Sequence, residues 1–241
     1  MKHVTKIINY FLSLFGIHLT RNITLKYRIE RGDYKWLQER NIATVLDVGA
    51  NIGQFAEMIH QILPIATIHS FEPLPEQFIG LQGLTKKIQL LRCYQFAVGS
   101  VNTEMEINAN EFSASSSLLP MTELHTSSFP YTKNSAALKV QVRTLDSVML
   151  EIKPRKNILL KIDVQGFEME VLKGAVRLLE DIDILIVETS FRELYQGQPL
   201  FDDIYKLLIE KKFMYHGNFD QIINTNNGEV LQADAIFLRQ Q

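Results

Sequence analysis

Cysteine is almost missing: Cys93 is the single one in 241 residues. That excludes an intrachain disulfide framework and fits a reducing compartment such as the cytosol. Cys93 sits in a strand-like stretch, which suits a buried structural thiol. An excess of one charge is also lacking. There are 25 Lys and Arg against 27 Asp and Glu, a formal net charge of −2. No global field therefore attracts nucleic acid or an anionic membrane, and no basic stripe is present to track phosphates. Long apolar runs are absent too, so no segment is long enough to span a bilayer.

The first residues carry Val4, Ile7, Ile8, Phe11, Leu12, Leu14 and Phe15 at helical spacing, with Lys2 and Lys6 on the other side. No small-residue cleavage site follows, which argues against a signal peptide. Two uses fit this pattern. One is a helix packed on the domain or on a second subunit, as in a homodimer. The other is an interfacial helix, with residues 4–15 in peripheral contact with a membrane. A second helical pattern runs from Asp33 to Arg40, anchored by Trp36 and Leu37. Residues 1–42 thus read as a helical extension ahead of one domain spanning 43–241.

From residue 43 the period changes. Ala43–Val48 is a β-branched run ending in glycine, which reads as a buried parallel strand. Gly53–Leu63 reads as a helix stopped by Pro64, Ala66–Phe71 as a strand, Pro75–Leu84 as a helix and Leu90–Val98 as a third strand. After a polar stretch around Ser113–Ser117, continuing to about Asn134, come a strand at Leu138–Val142 and another at Ile158–Asp163. Next are a helix at Gly166–Leu179, a strand at Ile182–Glu188 and a helix at Phe201–Lys212. Short strand–helix alternation predicts an α/β, doubly wound, mostly parallel sheet. Asn226-Asn227-Gly228 between two alternating segments predicts an antiparallel C-terminal hairpin.

The turn after the first strand reads Asp47-Val48-Gly49-Ala50-Asn51-Ile52-Gly53. It is not G-x-G-x-x-G, and no G-K-[ST] follows, so a dinucleotide or Walker-type phosphate loop is disfavoured. Gly49 and Gly53 let the backbone approach a ligand closely. A turn without a cation suits a zwitterionic amino-acid tail, met by turn backbone and by Asp47. Glu72, at the end of the second strand, is placed to accept hydrogen bonds from two ribose hydroxyls. Pro73 follows it. Phe96 or Ala97, at the end of the third strand, can flank an adenine, and Phe96 serves equally well as core. Asp47, Gly49, Asn51, Gly53, Glu72, Pro73, Phe96 and Ala97 are therefore candidate contacts to an adenosine-bearing cofactor with an amino-acid tail.

These segments occur with Thr144-Leu145-Asp146, Lys161-Ile162-Asp163-Val164-Gln165-Gly166-Phe167-Glu168 and Val171-Leu172-Lys173-Gly174-Ala175. Together, over roughly residues 43–215, they resemble the FkbM family of S-adenosylmethionine-dependent methyltransferases. The resemblance implies a Rossmann-like seven-stranded class I sheet with a reversed last strand. It also implies S-adenosyl-L-methionine as cofactor and O-methylation, often of sugar hydroxyls in polysaccharides, glycolipids or natural products. Gln165 departs from the family, which often has Glu there. A lipid, protein or polyketide hydroxyl is an alternative acceptor. A cofactor-binding scaffold without turnover is an alternative of another class.

Methyl transfer needs an acceptor oxygen aligned with the methyl group and relieved of its proton. Asp163, at the end of the fourth parallel strand, is the leading candidate for a base or orienting group and also borders the cofactor. With Glu188 it can instead ligate a divalent cation such as Mg²⁺, or it can cap the following helix. Lys161 shares a strand face with Asp163 and either pairs with an acid or contacts the acceptor. Glu168 and Glu170 suit the first turn of a helix. His60, His69, His125 and His216 form no metal-binding spacing, and His216 is a minor candidate for a base. The serine run, with His125, Phe129 and Tyr131, reads as a lid or a surface loop.

Overall fold

The computed structural model describes residues 20–110, 116–120, 122, 135–224 and 227–240. The apolar run at 4–15, the serines at 113–115, and His125, Phe129 and Tyr131 lie outside the described residues. Two helices, α1 (Thr20–Arg31) and α2 (Lys35–Gln38), lead into β1 (Thr44–Val48), α3 (Gln54–Ile62), β2 (Thr67–Phe71), α4 (Pro75–Gly83) and β3 (Leu91–Tyr94). Then follow β4 (Ala97–Val98), β5 (Thr103–Asn110), β6 (Ser135–Arg143) and α5 (Leu145–Ile152). The chain ends with β7 (Ile158–Ile162), α6 (Glu168–Lys173), β8 (Ile182–Ser190), α7 (Phe201–Glu210), β9 (Phe213–Ile223) and β10 (Val230–Arg239).

The main sheet has seven strands in the order β3-β2-β1-β7-β8-β10-β9. Strands β3, β2, β1, β7 and β8 run parallel, while β10 is antiparallel to both β8 and β9. This is the α/β sheet with a C-terminal hairpin expected above. β1 and β7 are buried along their whole length because helices cover both faces of a parallel sheet. Alternate residues feed two cores. Leu46, Val48, Leu160, Ile162, Leu185 and Val187 face one side; Val45, Leu159, Ile184, Ile186 and Ile236 face the other. Each such aliphatic side chain contributes roughly 1.5–3 kcal/mol by leaving water.

Three expectations need correction. The run Leu90–Val98 is two strands, because after Tyr94 the chain leaves β2 and pairs Ala97–Val98 with Val142–Arg143. Apolar patterning cannot register a change of partner when both sites are buried. Strand β5 was not foreseen; it pairs antiparallel with β6 and completes a small sheet ordered β4-β6-β5. The helix expected over Gly166–Leu179 is only α6, followed by a 3₁₀ turn at Leu178–Glu180. Gly174 marks the break, where an added Cβ would lie 2.0 Å from the Gly99 carbonyl oxygen.

The hairpin turn closes through Asn224 N–H donating to Glu229 O (2.8 Å) and Gly228 N–H donating to Asn224 O (2.8 Å), with Gly228 at φ +77°. Among the described residues no helix is long and apolar enough to cross a membrane.

Candidate active site

The chain runs β1, β2, β3 outward and then returns to place β7 on the other side of β1. That reversal makes the carboxyl ends of β1 and β7 a topological switch point, the place where open α/β sheets bind ligands in a crevice. Strand alternation and register gather charged residues there on one face. Asp47 stands opposite Ser70 on β2 and Lys161 on β7, and Glu188 stands opposite Asp234. All share the face of Val45, Leu159 and Ile186.

Asp47 is fully buried. Its Oδ2 accepts from the Ser70 hydroxyl at 3.0 Å, and its Oδ1 has no hydrogen-bond partner. Burial pushes its carboxyl above the ordinary carboxylate range, with Lys161 opposing. An orphaned buried carboxylate oxygen is costly, and a cationic ligand group would satisfy it. Glu72 is also buried. It accepts from the backbone N–H of Asn51 (2.9 Å) and of Leu74 (2.8 Å). Burial outweighs both bonds and lifts its pKa to about 7. The two acids thus flank the turn at the crevice, as expected of neighbouring strand ends.

The turn glycines also have a packing role. Gly49 has φ +79°, and an added Cβ would lie 1.8 Å from the Asp163 carbonyl oxygen. Gly53 has φ +91°, and its Cβ would meet Leu84 Cδ1 at 2.4 Å. Both glycines admit neighbouring protein. The turn amides also have internal partners. Gly49 and Ala50 N–H donate to Phe71 O, Asn51 N–H to Glu72, Ile52 N–H to Asn51 Oδ1, and Gly53 N–H to Ala50 O. Asn51 takes φ +50° to make this turn. Phe96 packs at a tilt against Phe71 (5.5 Å) and Tyr94 (6.1 Å), and Arg143 lies over its face at 5.1 Å. Ala97 is buried and Pro73 half-buried beside Glu72.

On the β7 side, Lys161 Nζ donates to Asp163 Oδ2 at 2.9 Å. Burial alone would lower the Lys161 pKa, but Asp163, Asp47 and Asp234 hold it above the ordinary lysine range. Lys161 also lies 5.5 Å from the Phe55 ring centroid. Gln165 Nε2 donates to Asp163 Oδ1 and to Glu188 Oε2, each at 2.8 Å. An amide donor therefore occupies the bridging position assigned above to a cation on Asp163 and Glu188. Among the described residues no group of three or more His, Cys, Asp or Glu is arranged to hold a metal. Glu188 lies inside β8, which continues to Ser190. Burial, then Asp163, Glu168 and Asp234, push its pKa well up.

Asp163 does not cap α6. The side chain of Glu168 reaches back to accept from Val164 N–H and Gly166 N–H, both at 3.1 Å. Glu170 accepts from Ser100 and Lys173. Asp146 binds the backbone N–H of Arg177 and Leu178 (2.9–3.1 Å), which makes the Thr144–Asp146 motif a packing device. His69 meets Tyr94 OH at 3.0 Å, and burial lowers its pKa to about 4. His216 rests on Trp36. Ser117, from the loop read as a lid, is buried and donates to the Gln165 carbonyl.

Two site groups escaped the sequence reading. Asp234, with its pKa raised by burial to about 6, is the lone acid in the apolar strand Val230–Arg239, and that isolation was its signal. Tyr195 is fully buried and donates to Gln165 Oε1 at 2.9 Å; nothing in the local pattern marks it.

The chain is similar to known methyltransferases. The 2-O-methyltransferase NoeI of Sinorhizobium fredii is 27% identical over 179 residues, 71% of this chain and 73% of NoeI. Methyltransferase 1 of Beauveria bassiana is 26% identical over 188 residues, 70% of this chain and 71% of that protein. The crystal structure of methyltransferase FkbM from Methylobacillus flagellatus superposes with a TM-score of 0.51 at 13% identity, over 82% of this chain. This chain spans 44% of the length of that solved chain. The profile of the methyltransferase FkbM domain matches residues 47–215, from the β1 turn through α7 into β9, and this chain belongs to that family.

Proposed function

We propose that this protein transfers a methyl group from S-adenosylmethionine to a hydroxyl of a sugar, in a glycan, glycolipid or glycosylated natural product. The observation that carries the reading is the crevice geometry. A buried carboxylate with an orphaned oxygen, Asp47, and a ribose-suited carboxylate, Glu72, flank the β1 turn, and a second carboxyl pair stands at the end of β7 and in β8.

Bound across this edge, S-adenosylmethionine supplies an already activated methyl electrophile. Asp47 Oδ1 would hold the ammonium of its amino-acid tail, which would end the cost of the unpaired buried oxygen. Glu72 accepts from the ribose hydroxyls. Lys161 holds Asp163 in place by ion pairing. Asp163 and Glu188 form the acceptor-facing pair, and Glu188 Oε1 makes no hydrogen bond among the described residues. That oxygen is open to hydrogen-bond an incoming hydroxyl, and two adjoining carboxyl groups suit the neighbouring hydroxyls of a sugar ring. NoeI, a 2-O-methyltransferase, supports oxygen as the acceptor atom.

The test is transfer of tritium from S-[methyl-³H]adenosylmethionine to a panel of free and lipid-linked glycosides. Labelled glycoside that disappears with Asp163→Asn supports the reading. Label that enters only lipid, protein or polyketide hydroxyls would replace the sugar with that acceptor.

A further inference from the structure

The geometry points to Gln165 as a positioning residue: its side-chain amide locks Asp163 and Glu188 into one acceptor-facing pair, in the place a bridging cation would otherwise take. The inference rests on the methyl-transfer reading for its role in turnover, but the clamp itself does not.

Two carboxylates this close repel each other and need a shared donor. A primary amide has two N–H donors on one atom, and Gln165 Nε2 gives one to Asp163 Oδ1 and one to Glu188 Oε2, each at 2.8 Å. The amide cannot turn over, because its Oε1 already accepts from the hydroxyl of fully buried Tyr195 at 2.9 Å. A flipped amide would set a carbonyl against two carboxylates.

The backbone is fixed as firmly as the side chain. Gln165 has φ +54°, a left-handed conformation that costs an L residue and persists only where surroundings over-determine it. Glu168 accepts from the N–H groups on either side of it, at Val164 and Gly166. Buried Ser117 donates to the Gln165 carbonyl at 2.5 Å, so the loop after β5 is tied to the same residue. Strain concentrated on a residue that grips two candidate catalytic carboxylates is a positioning arrangement. With Lys161 on its other oxygen, Asp163 has both oxygens committed, while Glu188 keeps Oε1 open to the acceptor.

The test has one arm that needs no acceptor. Mn²⁺ alone is titrated, following loss of its free-ion EPR signal. Wild-type protein should leave the signal unchanged. Gln165→Glu, which turns the amide into a third converging carboxylate, should bind one Mn²⁺, and Glu188→Gln added to it should abolish that site. Stoichiometric Mn²⁺ binding by wild type that is lost in Glu188→Gln would overturn the inference, because a cation would then be the bridge. Failure of Gln165→Glu to bind would also overturn it, because the carboxylates would not converge.

The second arm uses whichever glycoside takes label in the tritium assay. Gln165→Leu should lower kcat by about 10²-fold with KM for S-adenosylmethionine unchanged. Tyr195→Phe, which removes only the hydroxyl that orients the amide, should lower kcat by a smaller factor. A Gln165→Leu kcat within twofold of wild type, in folded protein, would overturn the inference. Absence of any labelled glycoside defeats the sugar reading and leaves the Mn²⁺ result to decide the clamp.

Discussion

Binding of S-adenosylhomocysteine at neutral pH should release protons, and Glu72 should be their source. Burial lifts this carboxyl from 4.5 to about 7 in the free protein, against the pull of two backbone N–H donors. At pH 7 about half of the molecules therefore carry a proton there. Two ribose hydroxyls donating to Glu72 favour its charged form. A full return to 4.5 in the complex is the upper bound, and it releases about 0.9 proton per ligand at pH 6, about 0.5 at pH 7 and about 0.1 at pH 8. The sign for affinity follows. Binding tightens as pH rises from the bound pKa towards 7 and levels off above it. The whole span is at most about 3.4 kcal/mol, 2.5 pKa units at 1.36 kcal/mol each. The assay is calorimetry in two buffers of different ionisation enthalpy, at each pH. Glu72→Gln isolates the contribution, since the amide does not titrate. Identical apparent enthalpies in both buffers, or proton uptake, would refute the reasoning. A release that persists undiminished in Glu72→Gln would assign it elsewhere.

Asp163→Asn should retain S-adenosylhomocysteine affinity within a few-fold and lose turnover by about 10² or more, read as a kcat change at constant cofactor KM; near-wild-type turnover would reduce Asp163 to the partner of Lys161. Gly49→Ala should destabilise the fold by at least about 3 kcal/mol in urea titration. Its Cβ would stand 1.8 Å from the Asp163 carbonyl on a φ of +79°, and a loss under 1 kcal/mol would show that β1 and β7 part easily. Asp234→Asn should gain stability relative to wild type as pH rises. Burial holds the folded carboxyl at about 6 against 3.8. The proton it keeps stabilises wild type fully below 3.8, and that stability is lost through pH 6. By pH 8 the variant should lead by about 1–3 kcal/mol relative to pH 4; a difference flat with pH would contradict the raised Asp234 pKa.

The parallel half of the fold was legible because its strands are short apolar runs ending in Gly49, Glu72 and Asp163, with helices of clear period between them. The carboxyl-edge acids were legible for the same reason: a polar residue closing an apolar strand stands out. The small sheet was not. β5, Thr-Glu-Met-Glu-Ile-Asn-Ala-Asn, is polar on most positions and buries Ile107 while Met105 is half-buried, so much of its signal is solvent-facing. The switch of partner between Tyr94 and Ala97 leaves no trace in composition. The bridging role of Gln165 depends on a positive φ and on Tyr195, thirty residues away. A helix-cap reading of Asp163 failed because Glu168, from within the helix, bonds the loop amides itself. The glycines have a packing role the sequence did not show, since protein fills the space left at Gly49 and Gly53.

The central claim is that the cofactor lies across the carboxyl ends of β1 and β2. A crystal structure of the protein with S-adenosylhomocysteine tests it most directly. The account predicts the ribose hydroxyls on Glu72, the ammonium on Asp47 Oδ1 and the sulfur facing Asp163. Ligand density at another surface, or the ribose bound with Glu72 uninvolved, would contradict it.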